Sequence, residues 1–276
     1  MSEILQNTEF FIGGISISVT ADESEAIKKA KEKMKRAGIL SSTLHFRLYK
    51  KSIDARKKDD IRLVYTVLAT SEKPLSAFPT EKLSALGIKF GYHEELIPAL
   101  GREPLHARPM VVGMGPAGLF AALMLARYGY RPILIERGDS VTERAKKVEQ
   151  FKKTGILDTE SNIQFGAGGA GTFSDGKLVT RINDVRCGYV LQTLAQFGAP
   201  EEILLHAKPH VGTDVLRVVV SNMLVEIQRL GGELHYNCLM TDFSEHSDGT
   251  VTVQTTKGSF LCSALFLALG HSSRDT

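Results

Sequence analysis

The chain has little cysteine, little excess charge and no long apolar run. Its three cysteines, Cys187, Cys238 and Cys262, lie far apart, without a CxxC pair or a zinc-type spacing with histidine. This pattern argues against a redox disulfide and against a metal site. Lysine and arginine number 34 against 31 aspartate and glutamate. The resulting net charge of +3 does not by itself indicate a nucleic-acid or membrane partner.

Targeting signals are also missing. The N-terminus, Met1-Ser2-Glu3, lacks the basic and apolar regions of a signal peptide, and no run approaches the about 20 apolar residues that span a bilayer. We therefore expect a cytoplasmic protein without a membrane partner. The 276 residues, 43% of them hydrophobic, are enough for one large domain and a small one.

The first hundred residues predict a small α+β domain. Residues 10–19 are rich in β-branched and aromatic side chains, and residues 20–23 have the capping-box spacing that starts a helix. Extended runs follow at 43–49 and 61–68, which gives a β-α-β-β order of the ferredoxin-like kind.

A basic segment connects the last two of these runs. Residues 50–60 contain five basic and three acidic side chains, which indicates a solvated hairpin, with a contact for phosphate or RNA as the alternative. Residues 74–108 contain four prolines and several glycines, a composition typical of a linker with short helices. The predicted domains are therefore residues 1–100 and residues 101–276.

A dinucleotide-binding fingerprint follows this boundary. The apolar run 109–112 leads directly into Gly113, Gly115 and Gly118 in the GxGxxG spacing, and a helix is predicted from Pro116 onward. In this pattern the first glycine permits a tight turn, the second lets the backbone approach a pyrophosphate, and the third allows the helix to pack closely on the strand. The pyrophosphate then lies at a helix N-terminus, where N–H groups and the helix dipole favour an anion.

A second strand with a terminal acid completes the βαβ unit. Residues 132–136 end in Glu136, which lies 136 − 118 = 18 residues after the last glycine, near the spacing of about 20 that the fingerprint requires. We expect Glu136 to accept hydrogen bonds from the adenosine ribose hydroxyls, whereas a ribose 2′-phosphate there would meet a like charge. NADP is therefore disfavoured at this site.

A second glycine-rich segment indicates which dinucleotide binds. Residues 165–177 contain five glycines, a density that loses backbone entropy on folding and typically allows the backbone to approach a ligand closely. An NAD domain needs no such second loop. In this second segment, the side chains of Thr172, Phe173, Ser174 and Lys177 supply donors and an apolar wall suited to the ribityl chain and flat ring of FAD. A mobile surface loop is the alternative interpretation.

The last third of the chain predicts a β-meander and one more core strand. Turn signals at 247–249 and 257–258 surround alternating apolar residues. The apolar run 264–269 then ends in Gly270, which predicts a buried parallel strand whose carboxyl end faces the cofactor crevice, with His271 and Arg274 near the cofactor. His210 and His271 are the ionisable candidates for proton transfer, with a purely structural role as the alternative for both.

Taken together, these stretches resemble a family of bacterial FAD-dependent dehydrogenases, or NAD(P)/FAD-dependent oxidoreductases, within the glutathione-reductase-like flavoprotein superfamily. The resemblance rests on residues 108–118, 161–165, 168–178, 208–214 and 269–276. Residues 1–100 are similar to the N-terminal α+β module of the family. The sequence departs from the family pattern at Ala167, where an acid is common, so a polar role at that position is in doubt.

The resemblance implies a set of FAD contacts. The ADP half of FAD would contact Gly113, Gly115, Pro116, Ala117, Gly118, Glu136 and Arg137, and adenine would contact Met240. The flavin side would contact Gly168, Gly169, Ala170, Gly171, Thr172, Phe173, Ser174 and Lys177, while Gly270 would face the crevice. The implied fold is an α/β, Rossmann-type FAD-binding domain with a β-meander, preceded by the small α+β domain.

The implied function is an FAD-dependent oxidoreductase that passes hydride through flavin N5 to or from an unidentified small molecule, with NAD(P)H as a transient electron donor. Two alternatives stay open. One is a flavin-dependent RNA-modifying protein that holds nucleic acid with the basic hairpin, and the other is a non-catalytic FAD-binding fragment.

The sequence also differs from the superfamily pattern in its C-terminal part. The superfamily has a later Gly-Asp segment and an inserted substrate domain, whereas the pair Gly138-Asp139 comes too early for that role. We therefore expect a chain truncated at its C-terminus, with weak FAD binding, an exposed apolar edge and no turnover on its own.

Overall fold

A computed structural model describes residues 7–92, 101, 104–174, 176–178, 180, 182, 184, 186–206 and 209–270. These residues fall into two compact units. The first unit lies within Met1–Pro98, Val179–Gln192 and Glu201–Pro209, and the second lies within Ala99–Leu178, Thr193–Pro200 and His210–Thr276. The division of the chain into domains at residue 100 stays a prediction.

The N-terminal part of the first unit, residues 7–92, contains a four-stranded antiparallel sheet and two α-helices. Its elements are β1 (Thr8–Ser18), α1 (Ser24–Arg36), β2 (His45–Asp54), β3 (Arg62–Ser71), α2 (Thr80–Ala85) and β4 (Lys89–Tyr92). The strand order is β2-β3-β1-β4, and every neighbouring pair is antiparallel. This βαββαβ arrangement confirms the predicted ferredoxin-like α+β fold. Strand β4 falls in the segment that was predicted to be a linker.

The start of α1 differs from the predicted capping box. Both Lys51 Nζ and Tyr65 Oη donate to the Glu23 Oε1 at 2.8 Å, so this carboxylate is held away from the backbone that it would cap. Instead, Asp22 Oδ1 accepts the N–H of Ser24 at 2.8 Å, and the helix begins at Ser24. A tertiary hydrogen bond has therefore replaced the local one.

The turn between β2 and β3 is shorter than the connection at residues 50–60 that the sequence predicted. Strands β2 and β3 pair as far as Asp54 and Arg62, which leaves residues 55–61 as the turn. Within this region Arg56 forms an ion pair with Asp54 at 2.6 Å, and its hydrogen bonds lower the pKa of the Asp54 carboxyl to about 2. Arg62 forms a second ion pair with Asp60 at 3.4 Å. The acidic residues of the hairpin therefore offset part of its positive charge.

The rest of the chain supplies a parallel sheet, a meander and four helices among the described residues. Its elements are β5 (Met110–Val112), α3 (Pro116–Arg127), β6 (Ile133–Ile135), α4 (Val141–Thr154), α5 (Arg186–Gln196), α6 (Thr213–Arg229), β7 (Glu233–His235), β8 (Met240–Glu245), β9 (Val251–Thr255), β10 (Gly258–Cys262) and β11 (Leu265–Leu267). The parallel sheet has the order β11-β5-β6-β7, and β8, β9 and β10 form the antiparallel meander. The predicted Rossmann-type fold with a β-meander is confirmed.

This strand order locates a crevice. From β5 the chain proceeds through β6 to β7 on one side, whereas β11 pairs with the other side of β5. The strand order therefore reverses at β5. In open α/β sheets, ligands bind at the carboxyl ends of the strands next to such a reversal. Gly113 follows β5 and Ala268 follows β11, so both lie at this position.

Strand β11 is parallel to β5, as predicted, but it is not buried. Phe266 is 40% exposed and Leu267 is 51% exposed. The prediction of a buried strand is wrong because β11 is an edge strand among the described residues, with a sheet neighbour on one side only. In the part of the chain that the structure describes, no helix is long and apolar enough to cross a membrane.

Candidate functional site

The turn after β5 accepts only glycine at two positions. Gly113 has a φ of +103°, and a Cβ atom there would lie 2.5 Å from the carbonyl oxygen of Ala268. A Cβ atom on Gly118 would collide with the carbonyl oxygen of Gly113. Both glycines are therefore needed for the close packing of α3 against the strands, as the fingerprint predicts.

Gly115 is different, because a side chain there would meet open space. The nearest atom to a Cβ on Gly115 is the Cα of Gly169, at 4.0 Å. Helix α3 starts at the next residue, Pro116, which tolerates this position because it has no N–H to leave unpaired. The N–H groups of a first helical turn have no partner within the helix, and the helix dipole is positive at this end. The open space at Gly115 therefore adjoins a position that favours an anion.

Glu136 holds this turn in place. Its side chain is buried at the end of β6, where Oε2 accepts the N–H of Met114 at 2.9 Å and Oε1 accepts the N–H of Gly138 at 2.9 Å. Each carboxylate oxygen can accept a further hydrogen bond. Glu136 therefore has a structural role that the sequence did not indicate, and it keeps capacity for a ribose hydroxyl.

The second glycine segment packs directly on the first. The N–H of Gly168 donates to the carbonyl oxygen of Met114 at 2.8 Å. Gly169 has a φ of +66°, and a Cβ there would lie 3.0 Å from Pro116 Cδ and 3.2 Å from Gly115 Cα. Two segments that are far apart in the sequence thus form one continuous wall.

Arg144 organises the second segment, and sequence reasoning missed it. Its side chain is fully buried on α4 and donates to Asn162, Ile163, Gly166, Ala167 and Gly169 carbonyl oxygens and to Thr172 Oγ1 at 2.8–3.1 Å. Burial lowers the pKa of its guanidinium to about 10, so the group remains charged at neutral pH. The backbone carbonyls of the loop stabilise this charge.

A sequence signal for Arg144 exists. Val141, Arg144 and Val148 are the buried residues of α4, and their spacing of three and four residues places them on one helix face. An arginine on the apolar face of an amphipathic helix indicates either a stem that reaches water or a buried polar partner. Here the partner is the glycine-rich loop.

Arg137 anchors another part of the loop. Its Nε and Nη2 atoms both lie 2.8 Å from Glu160 Oε2, and its guanidinium carbon lies 4.6 Å from the ring centroid of Phe165. The arginine therefore connects the end of β6 to the start of the second glycine segment.

These contacts surround a cavity of about 600 Å³, within the range of small-ligand sites. The expected cofactor residues on its walls are Gly113, Gly115, Pro116, Ala117, Glu136, Arg137, Gly169, Ala170, Met240 and Gly270. Further wall residues, which the sequence did not single out as contacts, are Val112, Gln164, Phe165, Gly166, Cys238, Leu239, Leu267, Ala268 and Leu269.

Other expected contacts lie elsewhere. Gly118 is buried under the turn, and Gly168, Gly171 and Thr172 lie inside the second segment, where Thr172 Oγ1 donates to the Gly169 carbonyl at 2.9 Å. Phe173 and Ser174 border a second cavity, between α4 and α6. Lys177 is exposed and forms an antiparallel bridge with His210. His271 and Arg274 lie outside the described residues.

The described residues contain no group of three or more His, Cys, Asp or Glu side chains that could hold a metal ion. Two glycine segments, an acid at the end of β6 and a cavity at the strand reversal together define a dinucleotide-binding protein. The model of the FAD binding domain family matches residues 107–252, more than half of the chain, and the chain belongs to this family. FAD is therefore the cofactor. Residues 14–70 match a domain of unknown function.

Two curated proteins are similar in sequence. An uncharacterized protein of Clostridium beijerinckii is 46% identical over 269 residues, which is 96% of this chain and 49% of the relative. The FAD-dependent monooxygenase apdD of Emericella nidulans is 26% identical over 119 residues, which is 41% of this chain and 17% of the relative. The chain thus spans about half the length of the first relative, and its match covers a smaller share of the second.

Solved structures show weaker likeness. A Lactococcus lactis thioredoxin reductase is 15% identical, with a TM-score of 0.33, over 58% of this chain and 34% of that chain. The OTEMO complex with FAD and NADP is 14% identical, with a TM-score of 0.39, over 61% of this chain and 26% of that chain. Likeness at this level does not indicate a shared function.

Proposed function

We propose that this chain is the cofactor-binding part of an FAD-dependent oxidoreductase that transfers hydride between FAD and a small molecule. One observation carries the proposal: both glycine segments, Glu136 and Met240 line a single cavity at the strand reversal. These parts come from distant positions in the sequence, and FAD binding explains why they meet.

The residues of the cavity fit a dinucleotide. Gly115 leaves open space beside the N-terminus of α3, where a pyrophosphate would be held by backbone N–H groups. Glu136 would hold the adenosine ribose, and Met240, at the start of β8, would contact the adenine through its backbone. Gly169 and Ala170 would line the path toward the ribityl chain.

The chemistry that FAD supplies when bound is two-electron transfer, and the protein contributes binding, orientation and electrostatic tuning. NAD(P)H is the proposed transient electron donor, and the small molecule is the electron acceptor or the alternative donor. Within this scheme the chain holds the cofactor in a cavity with mainly apolar walls, such as Leu267, Leu269 and Met240.

The test is anaerobic reduction of the reconstituted protein. We expect the whole protein to retain FAD after gel filtration, and we expect NADH or NADPH to bleach its flavin absorption band. Protein that stays colourless after incubation with FAD would contradict the central claim. Protein that holds FAD but is not reduced by NADH, NADPH or a panel of metabolites would support the alternative of a non-catalytic FAD-binding protein.

A further inference from the structure

The second cavity, of about 880 Å³, lies between α4 and α6 and shares no wall residue with the first. Phe173 and Ser174, at the end of the second glycine segment, form one side of it. The proposed FAD site does not use this cavity, so its chemistry can be argued separately.

The charges on its walls are unbalanced. Two of the charged wall residues, Lys146 and Glu149, are neutralised by ion pairs. Lys146 pairs with Glu143, and Glu149 pairs with Lys153, each at 2.7 Å. The other two charged wall residues are Lys152 and Arg217. Lys152 interacts electrostatically with Glu149 without forming an ion pair, whereas Arg217 faces the cavity without a carboxylate partner among the described residues.

Two contacts fix the orientation of the Arg217 guanidinium. Its Nε donates to the carbonyl oxygen of Thr213 at 3.1 Å, and its guanidinium carbon lies 5.3 Å from the ring centroid of Phe173. Within the described part of the chain, its two terminal nitrogens have no hydrogen-bond partner. A planar guanidinium fixed in this way presents two parallel donors, which match a carboxylate or a phosphate. Thr213 also begins α6, so the positive end of the helix dipole lies at the same wall.

The remaining wall residues are apolar side chains and four hydroxyl-bearing ones, Thr142, Ser174, Thr213 and Ser221. Val141, Ala145 and Val148 of α4 face Val218 of α6, and the Phe173 ring lies beside them. An inorganic ion would leave this surface uncovered, whereas a ligand with an apolar body would bury it. We propose that this cavity binds a small organic anion, a carboxylate or phosphate monoester with an apolar or aromatic body.

The test uses benzoate and phenyl phosphate as probes, with benzyl alcohol as the uncharged analogue, and measures binding by titration calorimetry. The Arg217→Gln variant should bind both anions about tenfold or more weakly, which is the scale of losing a charge-assisted pair. Arg229→Gln is the matched control, because Arg229 lies on the same helix, pairs with Glu226 at 2.6 Å and does not line the cavity. It should bind like the wild type.

Lys152→Gln provides a second, exposed variant that leaves the packing of α4 intact, and it should weaken binding to a smaller extent. All variants should retain FAD, so failure of FAD binding and failure of anion binding can be told apart. The proposal is overturned if the wild type binds neither anion, if benzyl alcohol binds as tightly as benzoate, or if Arg217→Gln binds the anions like the wild type.

Discussion

At the scale of single residues, the three glycines of the first turn respond to different constraints. Gly113 and Gly118 are fixed by contacts inside the protein, where a Cβ would strike backbone atoms. Gly115 is not, because a Cβ there would lie at ordinary distance from its nearest neighbour. A side chain at Gly115 therefore leaves the fold intact and obstructs only what enters the cavity.

This contrast gives the first prediction. Gly115→Val should fold with a melting temperature close to that of the wild type but fail to retain FAD, because the branched side chain occupies the space that the pyrophosphate needs. The measurements are flavin content after gel filtration and thermal unfolding without FAD. Gly91→Val is the matched control, since Gly91 is also open to a Cβ but lies on β4, and it should retain FAD. Flavin retained by Gly115→Val would contradict the assignment.

The second prediction concerns Glu136. Glu136→Ala should weaken FAD affinity by about 1–3 kcal/mol, the scale of losing charge-assisted hydrogen bonds. It should also lower stability without FAD, because the buried N–H groups of Met114 and Gly138 lose their acceptor. Affinity is measured by flavin fluorescence quenching, and stability is measured by urea unfolding. An unchanged affinity would show that Glu136 is not the ribose acceptor.

At the scale of elements, the βαβ unit could be predicted because each of its parts has a local signal. The strand before Gly113, the GxGxxG spacing and the acid at Glu136 are all visible within 28 residues. The sequence did not predict that β2 and β3 extend to Asp54 and Arg62, nor did it predict strand β4 or the role of Arg144. Strand β4 pairs with β1, and Arg144 bonds to the loop from Asn162 to Thr172, so both depend on contacts between segments far apart in the sequence, which spacing alone does not reveal.

Arg144 gives the third prediction. Arg144→Lys keeps the charge but cannot reach carbonyl oxygens spread from Asn162 to Gly169, so buried acceptors lose their donors. The free energy of unfolding should fall by on the order of 3 kcal/mol, and residues 162–172 should become sensitive to proteolysis. The control is Arg186→Lys, since Arg186 is exposed and its ion pair among the described residues is with the nearby Asp184. A loop as resistant as the wild type in Arg144→Lys would refute this role.

Lys147, on the same helix as Arg144, forms ion pairs with two aspartates, and these pairs give a pH-dependent prediction. Its Nζ lies 2.6 Å from Asp139 and 2.7 Å from Asp158. Burial acts to raise the pKa of Asp139, but hydrogen bonds from Lys147, Ser161 and Asn237 outweigh it and lower the pKa. The hydrogen bond from Lys147 is the main cause that lowers the pKa of Asp158. Because both pKa values fall on folding, this stabilisation is complete above the unfolded pKa and is lost as the pH falls through the folded values.

Lys147→Met should therefore reduce the free energy of unfolding by on the order of 1 kcal/mol at neutral pH. The difference from the wild type should shrink in acid, as Asp139 and Asp158 become protonated. Urea unfolding of both proteins, from neutral pH down to below the folded pKa values of Asp139 and Asp158, measures this difference in the free energy of unfolding. Lys153→Met is the control, because Lys153 and Glu149 are both strongly exposed and their pair should contribute little. A difference that persists below the folded pKa values would contradict the assignment.

At the scale of the whole molecule, each of the two units has a hydrophobic core of its own among the described residues. One contains Phe10, Ile12 and Tyr65 and lies in the first unit, and another contains Met110, Ile135 and Val253 and lies in the second. Every wall residue of the proposed FAD site belongs to the second unit. The composition predicted two domains, but the assignment of residues 179–192 and 201–209 to the first unit has no local signal, because it depends on tertiary contacts.

The last prediction is that the two units unfold in separate transitions and that FAD affects only one. A ligand that binds only the folded state stabilises by about 2.7 kcal/mol at 100 times its dissociation constant. For a unit of this size, that raises the melting temperature by on the order of 5 °C. Tyr65→Phe, which removes the hydrogen bond to Glu23 in the first unit, should lower the other transition alone. Scanning calorimetry with and without FAD, on the wild type and on this variant, separates the two effects. If FAD and Tyr65→Phe shift the same transition, the units unfold together and the two cores are thermodynamically coupled.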